Sequence, residues 1–305
     1  VSAQALDAAT KKTILSKLEA SIKGTLELEE KIIQKGIDIQ KYNTTCPFVE
    51  KVWNRSEQIA KKGYSIIIHG KPKHEETRAT FSHAAANTPS IVVNDMEEAK
   101  VLGAFILGKI NLEAFELQFK GRYSKHFDPK KDLDKIGVVN QTTQLATDTQ
   151  AISDYLKNII IEKFGSENIK EHFADTRDTL CYATNDNQSA VIGLLETSAD
   201  LAIVMGGKNS SNSSHLVELC EQKLPTYFID DASKIINKDQ IQKTDWKNKE
   251  SVIVSDYLPK KESISILMTS GASCPDAVVE AVIHKITSFY GVEDQLEEIE
   301  KIWSN

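Results

Sequence analysis

Short apolar runs rich in Ile and Val recur along this chain, and longer stretches with apolar positions three or four apart separate them. The first pattern predicts buried strands over 64–70, 90–93 and 135–140, then over 201–205, 226–229 and 263–268. The second predicts helices over 49–62, 97–108, 148–164, 187–198 and 275–290. Strands alternating with helices argue for βαβ units, because continuous apolar strands are covered on both faces. The predicted class is therefore α/β: two similar lobes with mainly parallel sheets flanked by helices. Residues 111–133 break the rhythm with Phe115, Phe119, Tyr123, His126 and Phe127 among many charges. They read as an insertion on the first lobe without a clear strand.

Composition narrows this little. At 305 residues the chain can hold two lobes, and 40% apolar with 27% charged residues describes a soluble globular protein. A net charge of −7 argues against broad nucleic-acid binding and against anionic membranes. No apolar run approaches the roughly 20 residues that span a bilayer. The start at Val1 reads as a processed or partial protein, and no signal-peptide pattern follows it. Four scattered cysteines do not make a disulfide scaffold, so a reduced compartment is expected.

Chemistry enters at the strand ends, where α/β folds carry their reactive groups. Four polar clusters stand there: His69 to Thr77, Asn140 to Thr143, Asn209 to Asn212, and Thr269 to Asp276. The tetrad Asn209-Ser210-Ser211-Asn212 follows a buried strand and the turn Gly206-Gly207-Lys208, with a helix expected from Ser213. Small hydroxyl and amide side chains, backbone N–H groups and a positive helix end suit phosphate. The plainer reading is a helix cap, for which one such residue suffices. In Lys73-His74-Glu75-Glu76, a histidine and a carboxylic acid could supply an anion contact and a proton donor; the plain alternative is a solvated helix start. Cys46 and Cys181 each precede a predicted helix, a position that favours the thiolate and makes it available to a soft metal, though the spacing matches no standard metal motif. Cys220 reads as core; Cys274 could be a ligand but reads better as a packed turn.

Taken together, these stretches resemble the LytB/IspH family of 4-hydroxy-3-methylbut-2-enyl diphosphate reductases, most of all its plant and cyanobacterial branch. The matching runs are Thr44-Thr45-Cys46-Pro47-Phe48-Val49 with Lys51-Val52-Trp53, His69-Gly70-Lys71 with His74-Glu75-Glu76-Thr77, and Asn140-Gln141-Thr142-Thr143. They continue through Cys181-Tyr182-Ala183-Thr184 with Gln188, Gly206 to Asn212, and Ser270-Gly271-Ala272-Ser273 with Pro275-Asp276. The resemblance implies an iron–sulfur oxidoreductase that ends the non-mevalonate route to isoprenoids. Such enzymes remove the hydroxyl of an allylic diphosphate and yield isopentenyl and dimethylallyl diphosphate. It also implies a [4Fe–4S] cluster with Cys46 and Cys181 among its ligands, Glu76 as proton source aided by Thr142, and a diphosphate held by His74, Ser210, Asn212 and Ser273. Asn209 and Ser211 would shape that pocket. Ferredoxin or flavodoxin is the implied electron donor, and a bacterial cytoplasm or plastid stroma the implied place.

The resemblance begins near residue 24, and the Gly-Phe-Cys-x-Gly-Val motif of the family's first lobe, with its third cluster cysteine, does not occur in the sequence. The expected organisation is an unmatched helix over 1–23, the family's second lobe over 24–180, its third over 181–290 and an acidic helix over 291–305. Apolar surface left where a first lobe packs would favour association, for instance as a homodimer. Two other readings stay open on the residues alone: a diphosphate- or nucleotide-binding protein without a cluster, and a two-lobed sugar-phosphate isomerase.

Overall fold

The computed structural model describes residues 46–174, 179–292 and 295–296. Contacts divide the chain into two units, Val1–Cys46 and Pro47–Asn305, and every element that follows belongs to the second. The helices expected over 1–23 and over most of 291–305 lie outside the described residues, as do residues 175–178 just before the lobe boundary expected at 180/181.

Helix α1 (Pro47–Ala60) leads into strand β1 (Ser65–His69), then α2 (Glu75–Ala85), β2 (Ser90–Val93) and α3 (Met96–Ile106). Two short helices, α4 (Leu112–Phe119) and α5 (Pro129–Asp132), precede β3 (Ile136–Asn140), α6 (Ala146–Phe164), α7 (Ile169–His172) and β4 (Phe173–Ala174). After α8 (Tyr182–Leu194) come β5 (Leu201–Met205), α9 (Ser211–Glu221), β6 (Thr226–Ile229), β7 (Gln240–Thr244), β8 (Ser251–Ser255), β9 (Ile266–Ser270) and α10 (Asp276–Ser288).

The first sheet has the order β2-β1-β3-β4 and the second β6-β5-β9, all pairs parallel. Alternation along the central strands explains why both sheets are covered on both faces. In β1, Ile67 joins the core under α3, α4 and α6, while Ile66 and Ile68 join the core under α1 and α2. In β5, Ala202 and Val204 face α9, and Leu201, Ile203 and Met205 face α10. The register sets His69 beside Asn140 at one sheet's carboxyl end and Met205 beside Ser270 at the other's.

Two expectations need correction, and one element was missed. The helix after the tetrad begins at Ser211 rather than Ser213, because Ser210 takes the cap position and its hydroxyl accepts from the Ser213 N–H. The expected helix over 187–198 runs instead from Tyr182 to Leu194, burying Thr184, Gln188 and Val191 at helical spacing; its polar first turn concealed that periodicity. The hairpin β7–β8 went unread, since Ile241 is the one buried side chain of β7 and β8 is exposed apart from half-buried Val254. Residues 111–133 pack Phe115 and Phe119, both fully buried, into the first sheet's core, and Arg122 holds Glu98 at 2.6 Å. No described helix is long and apolar enough to cross a membrane.

Candidate functional site

At the end of the first sheet, β1 turns through Gly70 and Lys71 into α2. His74 caps that helix: its Nδ1 accepts from the Glu76 N–H at 3.3 Å. An accepting Nδ1 carries no proton, so in the neutral ring Nε2–H is a donor. Burial, and then Lys71, hold His74 below the usual histidine range against the pull of Glu75, so the neutral form prevails at neutral pH. Glu76 is half-buried, and its Oε1 accepts from the N–H of buried Thr142 at 2.5 Å. Burial pushes the Glu76 carboxyl above its ordinary value, and the bonds from Thr142 oppose the shift without cancelling it. The Thr142 carbonyl accepts from the Cys181 N–H at 3.2 Å, so the acid's partner is tied to the start of α8. Chain segments far apart in sequence thus meet around one acid.

At the end of the second sheet, α9 starts almost in contact with the strand ends. A Cβ on Gly206 or on Gly271 would lie 2.2 Å from Ser213 Oγ, so both positions need glycine for this close approach. Ser213 Oγ donates to Ser210 Oγ at 3.0 Å, and Ser214 Oγ to the Ser210 carbonyl at 2.9 Å. Within the tetrad the roles divide: Asn209 is exposed, Ser210 caps, and Ser211 and Asn212 are buried in the first turn. Asn212 is 6% exposed, yet neither its Nδ2 nor its Oδ1 has a hydrogen-bond partner. A buried amide with nothing to bond costs about 1–3 kcal/mol, which a ligand of matching polarity would recover. Ser273 is exposed in the loop after β9, where the Cys274 N–H closes a turn on the Gly271 carbonyl at 2.8 Å.

Hydrogen bonds join the two ends. Asn187 of α8 donates to the Ser270 carbonyl at 3.2 Å, and Gln188 bridges the Ala146 N–H and the Gln144 carbonyl at 3.0 Å each. Gln141 donates to Ser211 Oγ at 3.3 Å. A polar seam runs beside them. Buried His69 meets Thr149 Oγ1 at 3.1 Å, and burial together with nearby His215 lowers it to about 4. His215, on α9, holds Glu218 at 3.1 Å, and that bond keeps Glu218 low. Reading strand ends found Gln141 and His69 as members of clusters but assigned them no role; His215 and Glu218 lie mid-helix, where only their 3-residue spacing signals a pair.

The cysteines test whether a thiolate-held cluster fits. Cys46 is exposed directly before α1, and Cys181 caps α8 without a side-chain hydrogen bond. The remaining two do other work: Cys220 is fully buried in the second core, where burial pushes it up to about 11, and Cys274 packs with its sulfur 3.8 Å from the Pro275 carbonyl. Among the described residues no group of three or more His, Cys, Asp or Glu is placed to hold a metal ion. Two thiols do not fit a three-thiolate cluster. A cavity of about 580 Å³, lined by Asn140, Thr149, Lys157, Thr179 and Tyr182 among others, touches none of the predicted site residues.

Fold and site define an α/β protein in which one strand end carries a half-buried acid and the other a helix start with a buried, unpartnered amide. Residues 24–287 match the family described as LytB protein, and the chain belongs to that family. It is 42% identical over 245 residues to the 4-hydroxy-3-methylbut-2-enyl diphosphate reductase of Picosynechococcus sp., covering 80% of this chain and 59% of that protein. It is 42% identical over 254 residues to that of Rippkaea orientalis, covering 83% and 62%. A solved structure, the E-1-hydroxy-2-methyl-but-2-enyl-4-diphosphate reductase from Plasmodium falciparum, superimposes with a TM-score of 0.52 at 24% identity, covering 79% of this chain and 57% of that one, and shares the fold. The chain thus spans about 60% of the length of these relatives.

Proposed function

We propose that the chain carries the diphosphate-holding and proton-supplying parts of a 4-hydroxy-3-methylbut-2-enyl diphosphate reductase. The observation that carries this reading is Asn212, whose buried and unpartnered amide stands in the first turn of α9. Free N–H groups and the positive end of a helix favour a dianion, and Ser210, Ser211 and Asn212 add short donors around it. His74, with its Nε2–H donor, and the exposed Asn209 and Ser273 are the further side chains assigned to the clamp.

Replacing the substrate hydroxyl by hydrogen consumes two electrons and two protons and releases water. Hydroxide is a poor leaving group, so a proton must reach the departing oxygen. Glu76 suits that role. Burial raises its carboxyl above the ordinary value, so it holds its proton to higher pH than an exposed glutamate, and the Thr142 N–H stabilises the carboxylate left after transfer. Cys46 and Cys181 belong to the same proposal as thiolates for the family's [4Fe–4S] cluster, with ferredoxin or flavodoxin as the electron source. Because the chain's cysteines do not fit a complete set, no step here runs through the cluster.

A second reading is a protein that binds the allylic diphosphate without reducing it; it shares the anion site with the first. Iron and sulfide content after anaerobic purification separates the two: stoichiometric iron supports the reductase, and its absence supports the binder. Titration calorimetry with inorganic pyrophosphate tests what both share. Saturable one-site binding, weakened at least tenfold by Asn212→Ala, is expected; equal affinity in the variant would remove the anion site.

A further inference from the structure

We infer that Gln141 is a positioning residue that fixes the direction of the Ser211 hydroxyl and ties it to the proton-donor loop, an inference that rests on the diphosphate reading for its consequence. Gln141 is fully buried and its side chain spends both ends. Its Oε1 accepts from the Lys71 N–H at 3.2 Å, Thr77 Oγ1 at 3.0 Å and Gln144 Nε2 at 3.1 Å. Its Nε2 donates to Thr143 Oγ1 at 2.7 Å and Ser211 Oγ at 3.3 Å. The orientation is set by chemistry: a backbone N–H such as that of Lys71 can only donate, so the atom facing it is the oxygen.

Two consequences follow. An amide nitrogen has no lone pair to offer, so Ser211 Oγ must be the acceptor in its bond with Gln141. The one proton on Ser211 is then released to point elsewhere, as the donor that an anion at the start of α9 requires. Thr77, bonded to the oxygen end, directly follows Glu76, and Thr142, bonded to Glu76, directly follows Gln141. One side chain thereby holds the acid's loop and the anion's helix in a fixed relation, though it lies on neither the acid nor the anion. Gly70 shows how tight the packing is: a Cβ there would lie 2.9 Å from Gln141 Cβ and 2.6 Å from Thr77 Oγ1.

Gln141→Glu keeps the shape and reverses the polarity, because a carboxylate only accepts and would draw the Ser211 proton to itself. Gln141→Met keeps the length and removes both ends. Pyrophosphate affinity, measured by calorimetry on the full chain, should fall about tenfold in either variant. Adding Ser211→Ala to Gln141→Glu should cost less than twofold more, although Ser211→Ala alone costs about tenfold. Equal costs of Ser211→Ala in the two backgrounds would overturn the inference, as would wild-type affinity in Gln141→Met. A ligand-free measurement separates this from the function itself: Ser211→Ala should speed amide exchange at Lys71 at least threefold in the unaltered background and not in Gln141→Met. Unchanged exchange at Lys71 refutes the tie. An unaltered chain that shows this exchange pattern but no saturable pyrophosphate binding would overturn the diphosphate reading and, with it, the hydroxyl's role, leaving Gln141 as a structural tie.

Discussion

Two helix starts stand at the ends of the two sheets, and they are finished differently. At α2 the protein satisfies itself: His74 caps the helix, and Glu76 is bonded to Thr142. At α9 the cap is made by Ser210, but the next turn buries an Asn212 amide that bonds to nothing in the chain. The same local physics, a positive helix end with short polar side chains, thus serves two ends. The closed start raises the pKa of a half-buried carboxylic acid. The open one, on the proposed reading, is kept for the charge of a diphosphate.

The contrast can be broken in stages. The largest effect is expected from Asn212→Asp, which puts a carboxylate where the anion should sit. Pyrophosphate affinity should drop about a thousandfold, or about 4 kcal/mol, in calorimetry. Next comes the seam beside the site. His69 titrates at about 4 in the folded chain and near 6.5 when unfolded. The native state therefore binds fewer protons, and its stability is full above pH 6.5 and declines as pH falls toward 4. Urea unfolding should show a loss of up to about 3 kcal/mol across that window, and His69→Gln should flatten it.

A smaller effect is expected from Gly206→Ala, whose Cβ would meet Ser213 Oγ at 2.2 Å and Ser213 Cβ at 2.9 Å. It should cost roughly 2 kcal/mol in thermal unfolding and weaken pyrophosphate binding as α9 is pushed from its strand. Smallest is Glu76→Gln. Because burial raises the Glu76 carboxyl, the native state holds that proton to higher pH, and its contribution is lost as pH rises through the raised value. The amide cannot titrate, so urea unfolding of the variant should lose that part of the pH dependence while pyrophosphate affinity stays within threefold. A large loss of affinity in Glu76→Gln would erase the division of labour between the two helix starts.

Much of this was legible before any coordinates. The Ile-rich runs around Ile67 and Ile203 marked the two central strands, because strands buried on both faces leave little choice of residue. The tetrad and the His-Glu-Glu run stood out because short polar side chains after a buried strand belong to turns or sites. Elements whose burial is slight, such as β7 and β8, gave no such signal. Nor could periodicity reveal partnership. That Asn212 lacks a partner, and that Gln141 joins Ser211 to Thr77, depends on contacts across 64 and 70 residues of chain. The cysteines were read correctly as core and turn for Cys220 and Cys274, since a lone thiol more often packs than ligates.

We propose above all that α9 begins with a diphosphate clamp built around Asn212. Titrating inorganic pyrophosphate into the unaltered chain and into Asn212→Ala, with unfolding followed in parallel, tests it most directly. Saturable one-site binding that weakens at least tenfold in the variant, while the variant's stability stays equal or rises because an unpaired buried amide has been removed, is the predicted result. An affinity that survives the substitution, or a variant that loses stability instead of affinity, would show that Asn212 serves the fold and not a ligand.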